Sequence, residues 1–198
     1  MEIIVATRNR GKVREIRKAL KGAGLKIYSL ADFSDVPGIE EDGRTFAENA
    51  LKKARFFSKY FGMSAMADDS GLEVDALGGL PGVYSARYSG EGASDRENNQ
   101  KLLSEMEGIP FSKRGASFRC VMAIVSHGGN EAVVEGSCRG KIGTRGVGRK
   151  GFGYDHLFVL SQYGKTMAQL TVEEKNRVSH RGKALRKLKT VMRRWVDE

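Results

Sequence analysis

Two adjacent carboxylates, Asp68 and Asp69, follow a short apolar run and precede Ser70 and Gly71. An acid at the end of a strand is anchored by backbone on one side and can project into open space on the other, where hard divalent cations take oxygen ligands. The same residues taken alone suit an Asx turn ahead of Gly71. A second acidic stretch, Glu40, Glu41 and Asp42 before Gly43, offers further oxygen ligands or a solvated loop.

Groups suited to phosphate and to a flat base lie elsewhere in the chain. Residues 2–6 read as a buried strand running into Thr7, Arg8, Asn9, Arg10, Gly11 and Lys12. Val13, Ile16 and Leu20 then recur at helical spacing, so free backbone N–H groups and the helix dipole would face an anion together. Thr7 and Asn9 add neutral donors and Lys12 a point charge; the Walker pattern is absent. Near the other end, Phe152, Gly153, Tyr154 and Asp155 follow Gly151, and glycines beside aromatics let a flat ring lie against a ring. Residues 146–151 match a dinucleotide-binding glycine pattern, but no strand leads into them and no helical pattern follows, so that reading is rejected. His180 and Arg181 offer donors to a carbonyl-bearing ring edge, and Ser179 equally suits the N-cap of the last helix.

In this order the segments resemble the Ham1/inosine triphosphatase family of purine nucleoside triphosphate pyrophosphatases. The likeness is carried by ATRNRGKVREI, GRTFAENALKKA, ADDSGLEVDALGGLPGVYSARYSG, GFGYD and EEKNRVSHRGKAL, nearly end to end. It departs at His156, where the family usually has proline, and in the strongly basic Arg8-Asn9-Arg10. The resemblance implies an α/β fold with an elongated, mixed, twisted sheet, helices in two lobes and a nucleotide cleft between them. It implies hydrolysis of ITP, dITP and XTP to monophosphate and pyrophosphate, cleansing the nucleotide pool. Such cleavage needs cations on the leaving pyrophosphate and an aligned water, and Mg2+ with one or two protein carboxylates is the expected cofactor.

The resemblance also assigns roles. Asp69 becomes general base and metal ligand with Asp68 in support, and Glu41 the second metal ligand, with Glu40 a close rival. Thr7 to Lys12, Lys53 and Lys175 hold substrate, although Lys175 equally follows a capping box that would leave it in solvent. Ser70 donates to the nucleotide. Phe152, Gly153, Tyr154 and Asp155 form the base wall, with His180 and Arg181 on the 6-keto edge, where donors leave adenine mismatched. The loop 78–88, with two tyrosines and an arginine, is where family members resemble homodimers; it also reads as a packed surface loop.

Bulk properties fit this reading. A chain of 198 residues suits a single domain over 1–198, with no repeat, low-complexity tract or linker. Apolar runs are too short for a bilayer and Met1 leads straight into a strand, so a soluble, cytoplasmic protein with no membrane partner is expected. Cys120 and Cys138 read as buried thiols, and His127, His156 and His180 are too scattered for a zinc motif. The net charge of +10 suits capture of a nucleoside triphosphate as well as a nucleic acid. Much of it lies in the last helix, where Arg181, Lys183, Arg186, Lys187, Lys189, Arg193 and Arg194 surround an apolar stripe, a common solvated face. Two alternatives therefore stand beside the main reading: a basic nucleic-acid-binding module without catalysis, and a related pyrophosphatase for other modified nucleotides.

The positioning elements are read as follows. A strand covers 25–30, and a capping box from Thr45 to Glu48 opens a helix that ends at Gly62. Strands at 64–68 and 72–74 flank the acidic turn, and Ser94 with Glu97 opens a helix through Met106. Strands at 116–126 and 131–138 form a hairpin through Gly128, Gly129 and Asn130. Mixed order of this kind means α/β with a mixed, twisted sheet.

Overall fold

The computed structural model describes residues 1–197; Glu198 and the side chains of Arg194, Val196 and Asp197 lie outside the described residues. β1 (Glu2–Val5) is apolar at Ile3, Ile4 and Val5, and all three are fully buried. It pairs in parallel with β2 (Lys26–Ser29) and with β3 (Ser64–Val74). Parallel neighbours need crossover connections, supplied by α1 (Arg10–Ala19) and α2 (Phe46–Phe61). β4 (Gly115–Val125), β5 (Glu131–Ile142), β6 (Phe158–Leu160) and β7 (Lys165–Thr166) complete a seven-stranded sheet of order β2-β1-β3-β4-β5-β6-β7. The β5–β6 and β6–β7 pairs are antiparallel, so the sheet is mixed, as expected.

The chain forms two compact units, one of 1–69, 120–136 and 180 onward, the other of 70–119 and 137–179. In the first, alternation along the strands sorts side chains to two faces. Ile3, Val5, Met66, Cys120, Met122 and Ile124 pack with α1 and with Leu185, Leu188 and Met192 of α5 (His180–Asp197). The buried face of α2 presents Phe46, Ala50, Ala54 and Phe57. In the second unit, Leu72, Val74, Phe118 and Phe158 cluster with Leu102 and Met106 beside α3 (Asp95–Glu105), and α4 (Val172–Val178) follows the last strand.

The helix starts follow the sequence. Asn9, Thr45, Ser94 and Thr171 cap α1 to α4 with side-chain acceptors, and Gly62 ends α2 in the left-handed region. The box at Thr45 is not reciprocal: Thr45 accepts from Glu48 N at 3.2 Å, whereas Glu48 Oε2 accepts from Arg44 N at 2.7 Å. Two strand readings change. The acid pair is no turn, because β3 continues through it for 11 residues. β5 runs on to Ile142, where Lys141 and Ile142 pair with Val159 and Phe158 of a strand too short to leave a period in the sequence. Among the described residues no helix is long and apolar enough to cross a membrane.

Candidate active site

β1 stops in register with Met66, and Ala6 N donates to Met66 O at 2.7 Å, while β3 runs on. Asp68 and Asp69 therefore lie just past the C-terminal end of a parallel neighbour, where open α/β sheets place ligands. Strand alternation sends the two side chains to opposite faces.

Asp68 points to the α1 and α5 side and is buried. Lys12 Nζ sits 2.5 Å from its Oδ1, Arg181 donates from Nε at 2.7 Å and Nη2 at 3.3 Å, and the Cys120 thiol lies 3.1 Å from Oδ2. Arg181 also donates from Nη1 to the buried carboxylate of Glu15 at 2.6 Å. Burial alone would raise the Asp68 pKa, yet attraction to Arg181 and Lys12 holds it well below the usual range. Arg181 is raised well above its ordinary value, since Asp68 and Glu15 outweigh its burial.

Asp69 points toward α2. Lys53 Nζ lies 3.1 Å from Asp69 Oδ1 and 2.9 Å from Glu41 Oε2, and also donates to Asp68 O at 3.0 Å. Asn49 Nδ2 donates to Asp69 Oδ2 at 3.3 Å, and Asn49 Oδ1 accepts from Gly43 N at 2.8 Å. That grip requires glycine, because a Cβ at Gly43 would stand 2.6 Å from Asn49 Oδ1. The acidic loop is thus fastened to the helix that carries Lys53. Glu41 is the loop acid at Asp69, and Glu40 is exposed. Burial pushes the Asp69 pKa up to about 6; Lys53 opposes that rise and the hydrogen-bonded Glu41 adds to it. Glu41 itself is lowered, Lys53 and Asp69 outweighing burial, and Lys53 is raised because Asp69 and Glu41 outweigh its burial. The two carboxyls titrate as a pair.

The N-terminal loop differs in detail from an open phosphate cradle. Asn9 Oδ1 accepts from Gly11 N at 2.9 Å and Lys12 N at 3.1 Å, and Thr7 Oγ1 accepts from Asn9 N at 3.1 Å. Two N–H groups expected to face an anion are therefore capped by the protein. Arg8 donates to Val36 O at 2.5 Å, Arg10 is exposed, and Lys12 is partly buried on Asp68. His180 is buried at the first position of α5, and Gly136 lets β5 reach that helix start, since a Cβ there would stand 2.6 Å from Ala184 N.

In the second unit Ser70 is half-buried on β3, and Lys175 is buried rather than left in solvent by the box that opens α4. Its ammonium pairs with buried Asp155 and lies 4.7 Å from the Phe152 ring centroid. Asp155 Oδ2 also accepts from Phe152 N at 3.0 Å, and a Cβ at Gly151 would collide with that carboxylate. Tyr154 is buried and donates to Ser85 O at 2.9 Å. In the loop 78–88, Tyr84 and Leu80 are exposed, but Tyr88 is buried and hydrogen bonds to Glu105.

Sequence reading missed Glu15, Asn49 and Cys120. Glu15 gave a signal: it sits among Val13 and Ile16 on the inward side of α1, one turn from Lys12. Asn49 stood next to Ala50 on the apolar face of α2.

Among the described residues no group of three or more His, Cys, Asp or Glu gathers as a metal cage. Two carboxylates, Glu41 and Asp69, converge on Lys53, two acids on one ammonium. A hard cation that keeps waters and substrate oxygens in its shell fits such a pair, whereas a dedicated all-protein cage does not.

Comparison with known proteins gives one family. The Ham1 family model matches residues 3–191. The chain is 56% identical to the dITP/XTP pyrophosphatase of Geobacter sulfurreducens over 94% of both chains. Its fold is similar to the HAM1 protein of Coxiella burnetii (TM-score 0.86, 42% identity, 98% and 99% covered). It is also similar to the nucleoside-triphosphatase / dITP/XTP pyrophosphatase of Mycobacterium abscessus (TM-score 0.74, 44% identity, 95% and 97% covered).

Proposed function

The chain belongs to the Ham1 family, and from that premise we propose that it hydrolyses ITP, dITP and XTP to the nucleoside monophosphate and pyrophosphate. The observation that carries this reading is the Asp69–Lys53–Glu41 cluster at the end of β1, with a buried carboxyl whose pKa lies at about 6. A base with that affinity is ionised at neutral pH and still takes a proton readily.

Water attacks the α-phosphorus, a new P–O bond forms, the bridge to the β-phosphorus breaks, and pyrophosphate leaves with the electron pair. Asp69 accepts the proton of the water, with Asn49 and Lys53 fixing the direction of its two oxygens. Lys53 and Lys12 supply positive charge toward phosphate oxygens, and Thr7, Arg8, Asn9, Arg10 and Gly11 line the substrate-binding loop. Glu41 and Asp69 would hold Mg2+, which when bound neutralises developing charge on the phosphate oxygens. Asp68 stays anionic and fixes Lys12 and Arg181, so the guanidinium plane is set before a purine arrives. His180 and Arg181 address the 6-keto edge, Ser70 donates to the nucleotide, and Phe152, Gly153, Tyr154, Asp155 and Lys175 form the base side. A donor set at that edge disfavours adenine by leaving polar groups unpaired.

The one domain of 1–198 acts on a small nucleotide in the cytoplasm, without nucleic acid or membrane. A second copy of the chain pairs through the loop 78–88, in which Leu80 and Tyr84 are exposed. The test uses purified protein, magnesium and dITP with phosphorus NMR of the products. Pyrophosphate with dIMP is expected; orthophosphate with dIDP, or no reaction, overturns the reading.

A further inference from the structure

Gly153 is the only non-aromatic, uncharged member of the segment 152–155, and its backbone is gripped from α3 on both sides. Asp95, the first residue of α3, accepts from Gly153 N at 2.6 Å through Oδ2. Asn99, one turn further along, donates from Nδ2 to Gly153 O at 2.9 Å and to Asp95 O at 2.5 Å. The second bond ties Asn99 to the residue that holds the other side of Gly153. Asn99 Oδ1 is buried with no hydrogen-bond partner among the described residues, so the amide is held by its donor side.

Gly153 has φ +58, and a Cβ there would meet nothing within 4 Å. Backbone conformation, not crowding, therefore favours glycine at this position. A residue so free in the unfolded chain and so unusual in φ needs external bonds to stay in one conformation. Its neighbours are otherwise fixed: Phe152 N by Asp155, Tyr154 by Ser85 O, and Asp155 by Lys175. The start of α3 is itself locked by the reciprocal box of Ser94 and Glu97, and Asn98 binds Ala86 O and Ser89 N beside it.

We propose that Asp95 and Asn99 are positioning residues for base recognition, clamping the N–H and C=O of Gly153 so that the Phe152 ring is presented in one orientation. This rests on the reading of residues 152–155 as the base side. Neither residue needs to touch the nucleotide. Loosening the clamp weakens capture of the purine, because a stacking platform free to turn must be ordered on binding. The chemical step at Asp69 is left alone.

The test is steady-state kinetics on dITP and dGTP for wild type, Phe152→Ala, Asp95→Ala, Asp95→Asn and Asn99→Ala, with calorimetric binding of dIMP repeating the comparison without turnover. Asp95→Ala and Asn99→Ala are expected to raise KM for dITP about five- to tenfold, the loss of about one hydrogen bond, while kcat changes by less than about threefold. Both should narrow the preference for dITP over dGTP. Asp95→Asn, whose amide oxygen can still accept from Gly153 N, should recover most of the loss and serves if Asp95→Ala does not fold. Melting temperatures of all variants are recorded alongside. If Phe152→Ala raises KM while the α3 variants lower only melting temperature, the clamp is structural and the inference fails alone. If Phe152→Ala leaves KM and dIMP binding unchanged, the base-side reading fails and takes the inference with it.

Discussion

On the α1 and α5 side of β3, Asp68 and Glu15 meet Lys12 and Arg181; on the α2 side, one residue later, Asp69 and Glu41 converge on Lys53, with Asn49 as a neutral donor. Both aspartates are buried in the same strand. Their proton affinities move in opposite directions, Asp68 well below the ordinary carboxylate and Asp69 up to about 6. Burial acts alike on both, so the difference comes from the partners. The lesson is a division of labour set by charge. Where cations match acids the carboxylate stays charged, and where a second acid shares one lysine the proton affinity of a buried carboxyl rises.

Asp69→Asn breaks the comparison on its reactive side. It is expected to lower kcat/KM for dITP by about a thousandfold while the fold persists, as loss of a general base does. Full activity in the folded variant removes Asp69 as base. Asp68→Asn breaks it on the anchored side. Taking one partner from a buried ion-pair network leaves Lys12 and Arg181 underpaired, at a cost of about 3–5 kcal/mol, read by chemical denaturation. An unchanged unfolding midpoint contradicts an anchoring role.

Two smaller effects sharpen the contrast. In stability, a carboxyl raised from 3.8 to about 6 stabilises the fold below its unfolded value, and that contribution is lost as pH rises through about 6. Relative to wild type, metal-free Asp69→Asn should thus gain on the order of 1–2 kcal/mol at pH 7.5, with the gain gone near pH 4. A gain equal at both pH values argues against titration of Asp69. In titration, NMR of the metal-free protein should show the Asp69 carboxyl taking its proton near pH 6 in wild type and at lower pH in Glu41→Gln, which removes a neighbour that adds to the rise. A midpoint that stays put, or moves up, separates the two carboxyls.

How much of this was legible in the sequence follows from the range of the interactions. Helix starts were readable because capping is local: Thr45, Ser94 and Thr171 each bond within three residues. Asp69, Glu41 and Lys53 could be named through resemblance, but that Lys53 stands between the two acids is a product of packing. The acid pair looked like a turn because Asp, Ser and Gly are turn residues, and pairing in the sheet overrode that preference. β6 and β7, three and two residues long, carry no period to detect. The partnership of Asp68 with Arg181 spans 113 residues, and nothing local to either announces it. Glu15 and Asn49 among the missed residues left a trace, polar side chains on buried helical faces.

On the proposed reading, the α2 side of β3, with two acids on one lysine, takes the cation that serves the reaction. Calorimetric titration of Mg2+ into metal-free wild type and into Asp69→Asn tests it most directly. Saturable binding in wild type that is lost in the variant is predicted; equal binding in both, or none in either, contradicts it.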